Sequence, residues 1–488
     1  AGEAEPTRRA HLAYVTELAE TAEPHLRRAE QLEWLALVEA EPARRAHLAY
    51  FTELAETAEP HLRRAEQLEW LARLEAEHDN IAAALRGALA DDDAAGALRL
   101  AAAAGWYWWL GGRRTEGLEL IIAATKTPGQ VSDDVRAMVY ALVVQFLGSG
   151  RGDERQVAEW IHQAYRFSQR SQRHNPLLGL VAPLERMLQA PDASSSAFEP
   201  LLDSEDPWVG ALARWQLGKM RIVIGQGGPE AEVYLEMALA EFRTLGERFG
   251  ISLALSELGG FLAMRGELAG ACELYEQAIA VVTEVGAIDD VSRMRSRQAQ
   301  LYWLLGDKDS SAAAIGEAQR CAERVTWPGT LATLALSKAE LARWSGDAEE
   351  AYQQLGAATA MLGDEAERAN IRAVTHDLLG YLADDLGEAR KYRVAACQAA
   401  AEAGHAPLIA QVLVGVADLA LRCDQYEQAV RLLAASDGVR GLPDRSHPDV
   451  ARIEQSARSR LGDTRFAEAA REGARRSWNQ LVAVTLAS

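Results

Sequence analysis

Residues 253–282 read LALSELGGFLAMRGELAGACELYEQAIAVV, and the fold follows from them. Leu255, Leu258, Gly259 and Leu262 recur at helical spacing, Gly266 interrupts, and Ala271, Tyr275 and Ala278 resume the period. Two antiparallel helices with a glycine between them, small residues where they cross and one aromatic beyond the crossing make the tetratricopeptide pattern. Glycine or alanine at the crossing lets the two axes approach, and Tyr275 fills the space that remains.

The same register returns along the chain. Gly306 turns between Ala299/Tyr302 and Ile315/Ala318, Gly346 between Ala339/Ala342 and Ala351/Leu355/Ala358, and Gly387 between Gly380/Ala383 and Ala396/Ala399. Asp424 takes the turn between Ala417 and Ala429/Leu433. Upstream, Gly225 follows Gly218 and precedes Ala238, and Gly112 follows Gly105 and precedes Ile121 and Ala124. Turn residues 266, 306, 346 and 387 are spaced 40, 40 and 41 apart. A repeat of this class is about 34 residues long, so each helix gains roughly one turn. The sequence therefore predicts an all-α, tetratricopeptide-like α-solenoid: a right-handed superhelix of roughly nine to eleven antiparallel helix pairs with a concave groove. Residues 131–205 keep the weakest register, with helices expected near 134–147 and 153–168 and a flexible loop at PDASSS, residues 191–196.

A second repetition is local and nearly letter-perfect. Residues 3–41 recur at 39–77, differing only at Thr7/Ala43, Val15/Phe51, Leu37/Arg73 and Val38/Leu74. Solenoid repeats keep a few packing positions while their surfaces drift. A copy that preserves exposed Glu and Arg is of recent origin, by tandem duplication or by hand. Four divisions result: residues 1–42, a duplicate of the opening helices; 43–130, N-terminal repeats; 131–205, the irregular segment; and 206–488, regular repeats with a C-terminal cap. The copy at 43–77 is expected to dock on the helices that begin near Asp79.

Composition narrows the function. A formal net charge of −20 argues against a nucleic-acid surface, which needs clustered Lys and Arg. The four cysteines show no paired spacing, which suits a reducing compartment, and no apolar run approaches a membrane span. The acidic start is no signal peptide, so a cytoplasmic location is expected.

AEPHLRRAEQLEWLARLEAEHDNIAAALRGAL, followed by AGALRLAAAAGWYWWLGGRRTEGLELIIAA, resembles the opening of the C-terminal repeat region of actinobacterial signal-transducing ATPase regulators. That family includes the SARP type and the LuxR type, similar to the maltose regulator. LGDTRFAEAAREGARRSWNQLVAVTLAS resembles the end of that region. The resemblance is close over residues 43–125 and 461–488 and is one of pattern between them. It implies a sensor: repeats that restrain upstream ATPase and DNA-binding domains of the same regulator until a small-molecule or protein inducer arrives. No G-x-x-x-x-G-K-[ST] phosphate loop occurs (Gly218-Lys219 lacks its upstream glycine), and no basic recognition helix is present. The resemblance therefore implies an excised sensor region with no cofactor of its own. A free-standing scaffold for protein segments is the alternative.

An all-helical lyase is the rival class. Asp384, Asp385 and Glu388 match a D-D-x-x-E motif that can share Mg²⁺ with a diphosphate. The turn register explains them instead as the solvated end of a repeat helix, and no second metal motif accompanies them. No H-E-x-x-H pair or G-x-S-x-G elbow occurs either, so the chain reads as a non-enzyme. In tetratricopeptide geometry the first helix of each pair lines the concave face. Those positions hold Trp106, Trp109, Trp215, Lys219, Arg293, Gln300, Trp303, Glu340, Arg343, Asp377 and Tyr381. Burial in the core is the favoured reading of the GWYWWL cluster around Trp106 and Trp109. The expected ligand- or partner-binding groove consists of Trp303, Arg343, Tyr381, Arg293, Gln300, Glu340, Trp215 and Lys219, the first four as one patch.

Overall fold

A helix ends cleanly where the next residue can turn left-handed, and only glycine does so without a Cβ meeting the backbone. The computed structural model describes residues 29–148, 154–171, 175–190 and 194–487. In it Gly266 and Gly346 close their helices at φ of 85° and 81°. Three of the following helices are opened by an aspartate: the carboxylates of Asp307, Asp347 and Asp385 accept the N–H three residues on, at 3.0, 3.0 and 2.8 Å. The turn expected at Gly387 lies earlier. Because Asp385 fixes the helix start, the backbone is extended at Ala383 and at Asp385, and Gly387 is already helical. Asp424 makes its turn at φ 58°, as its place in the repeat requires.

Three helices open the described chain: α1 (Ala29–Ala58), α2 (Gln67–Ala76) and α3 (His78–Ala90). Two antiparallel pairs follow, α4 (Ala94–Leu110) with α5 (Arg114–Lys126) and α6 (Asp133–Gly148) with α7 (Glu154–Ser168), then the short α8 (Val181–Gln189). The regular array pairs α9 (Pro207–Val223) with α10 (Pro229–Leu245), α11 (Arg248–Arg265) with α12 (Leu268–Val285), and α13 (Ile288–Leu304) with α14 (Lys308–Ala322). It continues with α15 (Pro328–Ser345) and α16 (Ala348–Leu362), α17 (Ala369–Leu382) and α18 (Leu386–Ala403), and α19 (Ala406–Arg422) and α20 (Tyr426–Arg440). The end is formed by α21 (Pro448–Gly473), kinked at Gly462, and α22 (Trp478–Ala487). The chain is thus a tetratricopeptide-like α-solenoid, with no strand among the described residues. The duplicate at 1–42 lies outside the described residues up to Arg28, as do positions 191–193 of the expected loop.

Within a pair the expected packing holds. A Cβ on Gly259 would stand 3.1 Å from the Tyr275 ring, and Ala271 and Ala278 are fully buried. First helices of neighbouring pairs touch, α13 against α15 and α17 against α19, so they line the inner face.

The superhelix is wound tightly enough for its turns to stack. Arg64 bonds Asp206, 142 residues away; Gln67 bonds Glu247, 180 away; Arg114 bonds Asp290, 176 away. Further along, the turn at Gly225 abuts the one at Gly441: a Cβ on Gly225 would fall 2.1 Å from the Val439 carbonyl oxygen. Only glycine fits such a backbone-to-backbone contact.

Candidate functional site

Eight first-helix residues were expected to share a groove, and the structure sorts them into three places. Trp303, Gln300, Glu340, Arg343 and Tyr381 come together on the inner face of α13, α15 and α17. Trp215 and Lys219 form a separate pair on α9, the ammonium 4.7 Å from the indole centre, with Trp215 buried. Arg293 stands apart from the patch. Its guanidinium is half-exposed and bonds Asp290 at 3.0 Å, at the contact between α13 and Arg114 of α5. The GWYWWL aromatics are core: Trp106, Tyr107, Trp108 and Trp109 are all buried.

The central cluster is a ladder of rings and guanidinium groups. The Trp303 and Trp344 rings lie 5.2 Å apart; Arg343 reaches from Trp344 to Tyr381, 4.1 Å above the phenol ring; Arg393 lies over the same ring at 4.0 Å. Gln300 bridges to the next repeat by donating to Glu340 at 2.9 Å. Its carbonyl oxygen accepts from Arg297 at 2.9 Å.

Arg393 and Trp344 were not foreseen. Arg393 belongs to a second helix, α18, and passes between α17 and α19 to an ion pair with Asp377. It is fully buried, and room for it comes from Gly380 and Gly415: a Cβ on Gly415 would collide with the guanidinium. Gly380 in a crossing position was the available signal. Burial pushes the Asp377 carboxyl up to about 6 despite Arg393 and Arg343 beside it. The same burial raises Glu340 and drives the Tyr381 phenol well above its usual range.

The face is not an open groove. The loop between α20 and α21, residues 441–447, lies across it together with Asp449 in the first turn of α21. The Arg445 N–H donates to the Met264 carbonyl at 2.8 Å at the end of α11. Ser446 accepts from Arg297 at 3.0 Å and donates to Asp444 at 2.6 Å. Arg343 donates to Asp449 at 2.9 Å, and both side chains are nearly buried, at 10% and 8% exposure. Arg452 ties Asp449 to Asp418 of α19. Burial opposes ionisation of Asp449, yet Arg343 foremost holds its carboxyl at about 2. His447, in the same segment, is pushed down to about 4 by burial, and so is neutral at pH 7.

Asp384, Asp385 and Glu388 do not converge: Asp385 caps α18, and all three side chains are exposed. No group of three metal-ligating side chains is assembled among the described residues. A cavity of about 40 Å³ lies among Leu142, Ile161, Leu180, Val181, Leu184 and Phe198, enough for about one or two waters. No described helix is long and apolar enough to cross a membrane.

Fold and inner face together define a tetratricopeptide-like repeat protein. No protein-family model matches the sequence, and no curated protein matches it. Among solved structures, the chain is similar to a signal transduction ATPase with numerous domains and a tetratricopeptide repeat sensor from Pyrococcus horikoshii, at 11% identity and a TM-score of 0.36. That match covers 75% of this chain and 55% of the Pyrococcus protein, so the chain spans little more than half of its length. Yeast Tom70 matches at 12% identity over 87% of this chain and 99% of its own, TM-score 0.34. The human IFIT1 dimer matches at 13% over 74% and 89%, TM-score 0.32. Likenesses at these scores carry no argument about function; the class rests on the turns, pairing and inner face of the chain itself.

Proposed function

We propose that this chain is a partner-binding repeat domain whose inner face reads a segment presenting a carboxylate and a hydroxyl, and that its own residues 441–449, the loop and first turn of α21, fill that role until a partner displaces them. One observation carries the reading: Arg343 and Arg297, on first helices two repeats and more from the segment's origin, bind Asp449 and Ser446. A displacing partner must match that chemistry, with a carboxylate for Arg343 and an acceptor for Arg297. Release separates the segment from Met264, Arg297 and Arg343 at once, so occupancy alters contacts across α11, α13 and α15. A domain packed against these repeats would sense the change, provided that its packing favours one state over the other.

The resemblance noted in the sequence makes upstream ATPase and DNA-binding domains the readers of this change, and a small-molecule or protein inducer the displacing agent. A free-standing scaffold uses the same face without those domains. A phosphate loop encoded upstream in the same gene favours the regulator.

The test uses a synthetic peptide with the sequence of residues 440–453. By calorimetry it should bind the Ser446→Ala/Asp449→Ala chain and leave the parent chain, whose face is occupied, unbound. A peptide with both aspartates changed to asparagine should bind neither. Equal binding to parent and variant, or none to either, would discard the reading.

A further inference from the structure

The opening helices dock on the body through a specific set of contacts. Arg64 donates to Asp206 at 2.9 Å, and the Arg248 N–H donates to the Gln67 carbonyl oxygen at 2.9 Å while the Gln67 amide reaches Glu247. Gln67 is fully buried, as are Leu62 and Leu74, and Glu59 and Arg63 form a buried pair beside Trp208. Glu75 accepts from the Tyr107 hydroxyl at 2.7 Å. On the body side stand residues from α4, α9 and α11, none of them in the duplicated stretch.

Every polar member of this set has an identical counterpart 36 residues earlier: Glu23, Arg27, Arg28, Gln31 and Glu39. Leu62 and Leu71 are matched by Leu26 and Leu35. We propose that the chain carries two interchangeable occupants for this one docking site: residues 39–77, seated in the structure, and residues 3–41 of the same molecule, which take the site when the first occupant leaves. The exchange shifts the docked stretch by 36 residues and leaves residues 42–77 as the connection to α3, ample length to span the join.

The four differences set the order of preference. Phe51 and Leu74 are buried in the seated copy, and the earlier copy offers the smaller Val15 and Val38 there. The earlier copy fills the site less well and is the reserve occupant. Thr7/Ala43 and Leu37/Arg73 fall on half-buried or exposed positions and decide little.

The experiment uses the full chain and amide hydrogen exchange read by mass spectrometry, with thermal melts. Arg64→Ala/Gln67→Leu disables the seated copy, Arg28→Ala/Gln31→Leu the reserve, and the quadruple variant disables both. Disabling the reserve alone should change nothing. Disabling the seated copy should move slow exchange from residues 43–77 to 7–41 with a small fall in Tm, which adding Val15→Phe and Val38→Leu restores. The quadruple variant should lose protection in both stretches and melt far lower. Three results overturn the proposal: a quadruple variant no worse than Arg64→Ala/Gln67→Leu; protection that stays on 43–77; or protection on 7–41 accompanied by a doubled mass in light scattering, which would make the occupant a second molecule's copy.

Discussion

A guanidinium with no exposure has to be answered, residue by residue, and Arg393 is answered chiefly by Asp377. Removing one member of such a pair strands the other in a medium that solvates it badly. Asp377→Ala should therefore cost about 3–5 kcal/mol in urea unfolding, whereas Arg393→Met/Asp377→Leu should recover most of the loss. An Asp377→Ala chain within about 0.5 kcal/mol of the parent would show that Asp418, 3.9 Å from Arg393, suffices alone. The pair was invisible in the sequence for a physical reason. Its partners lie 16 residues apart on different helices, and what the register exposes is only the glycine that makes room for them. Gly380 was read as a place where helix axes approach; it is a place where a guanidinium passes. Trp303, Arg343 and Tyr381 were legible because first-helix positions one repeat apart are forced side by side. Arg293 failed the same reasoning because its part of α13 faces the stacked turn, where Asp290, itself paired with Arg114, claims it.

The helix pair, at the scale of elements, is where sequence and structure agree best. Ala278 is fully buried at the crossing of α11 and α12, so Ala278→Leu should force the helices apart at a cost of about 1–3 kcal/mol. The exposed control on the same helix belongs at Gln277, because the neighbouring Glu276 is engaged with Arg295. Gln277→Ala should stay within about 0.5 kcal/mol. Equal losses would mean that the crossing is misplaced. The turns inside helix pairs were legible where a glycine or aspartate adopts positive φ, as at Gly266, Gly346 and Asp424. The left-handed glycines that join one pair to the next, Gly246, Gly286 and Gly404 among them, were not singled out. The turn near Gly387 was misplaced by three residues because an N-cap aspartate can stop one helix and start the next with no left-handed residue at all. How the turns stack was beyond the sequence, since contacts 142 to 180 residues apart leave no local period to read.

For the whole molecule, the consequence of tight winding is that the inner face closes over a piece of the chain itself. That closure should depend on pH through His447. Its folded pKa is depressed to about 4, by burial first, with Arg343 and Arg440 adding to it and Asp449 and Asp444 opposing. A released or unfolded His447 titrates near 6.5, so between about 4 and 6.5 the open state holds the extra proton. Stability from this residue is full above about 6.5 and falls by up to about 3 kcal/mol as pH drops to about 4. Asp377, raised to about 6, slopes the other way over part of that window. The readout is therefore the difference between the parent and His447→Gln, measured by urea unfolding at pH 7.5 and 5. The parent should lose more stability than the variant on acidification; parallel losses would mean that His447 is not buried when the segment is seated on the inner face. The most direct measurement is amide exchange at Arg445, whose N–H is bonded to the Met264 carbonyl across the face. It should be slow in the parent and fast in Asp449→Asn, with the amides of α11 to α14 unchanged. Exchange at Arg445 as fast in the parent as in an unstructured peptide would contradict a self-occupied inner face.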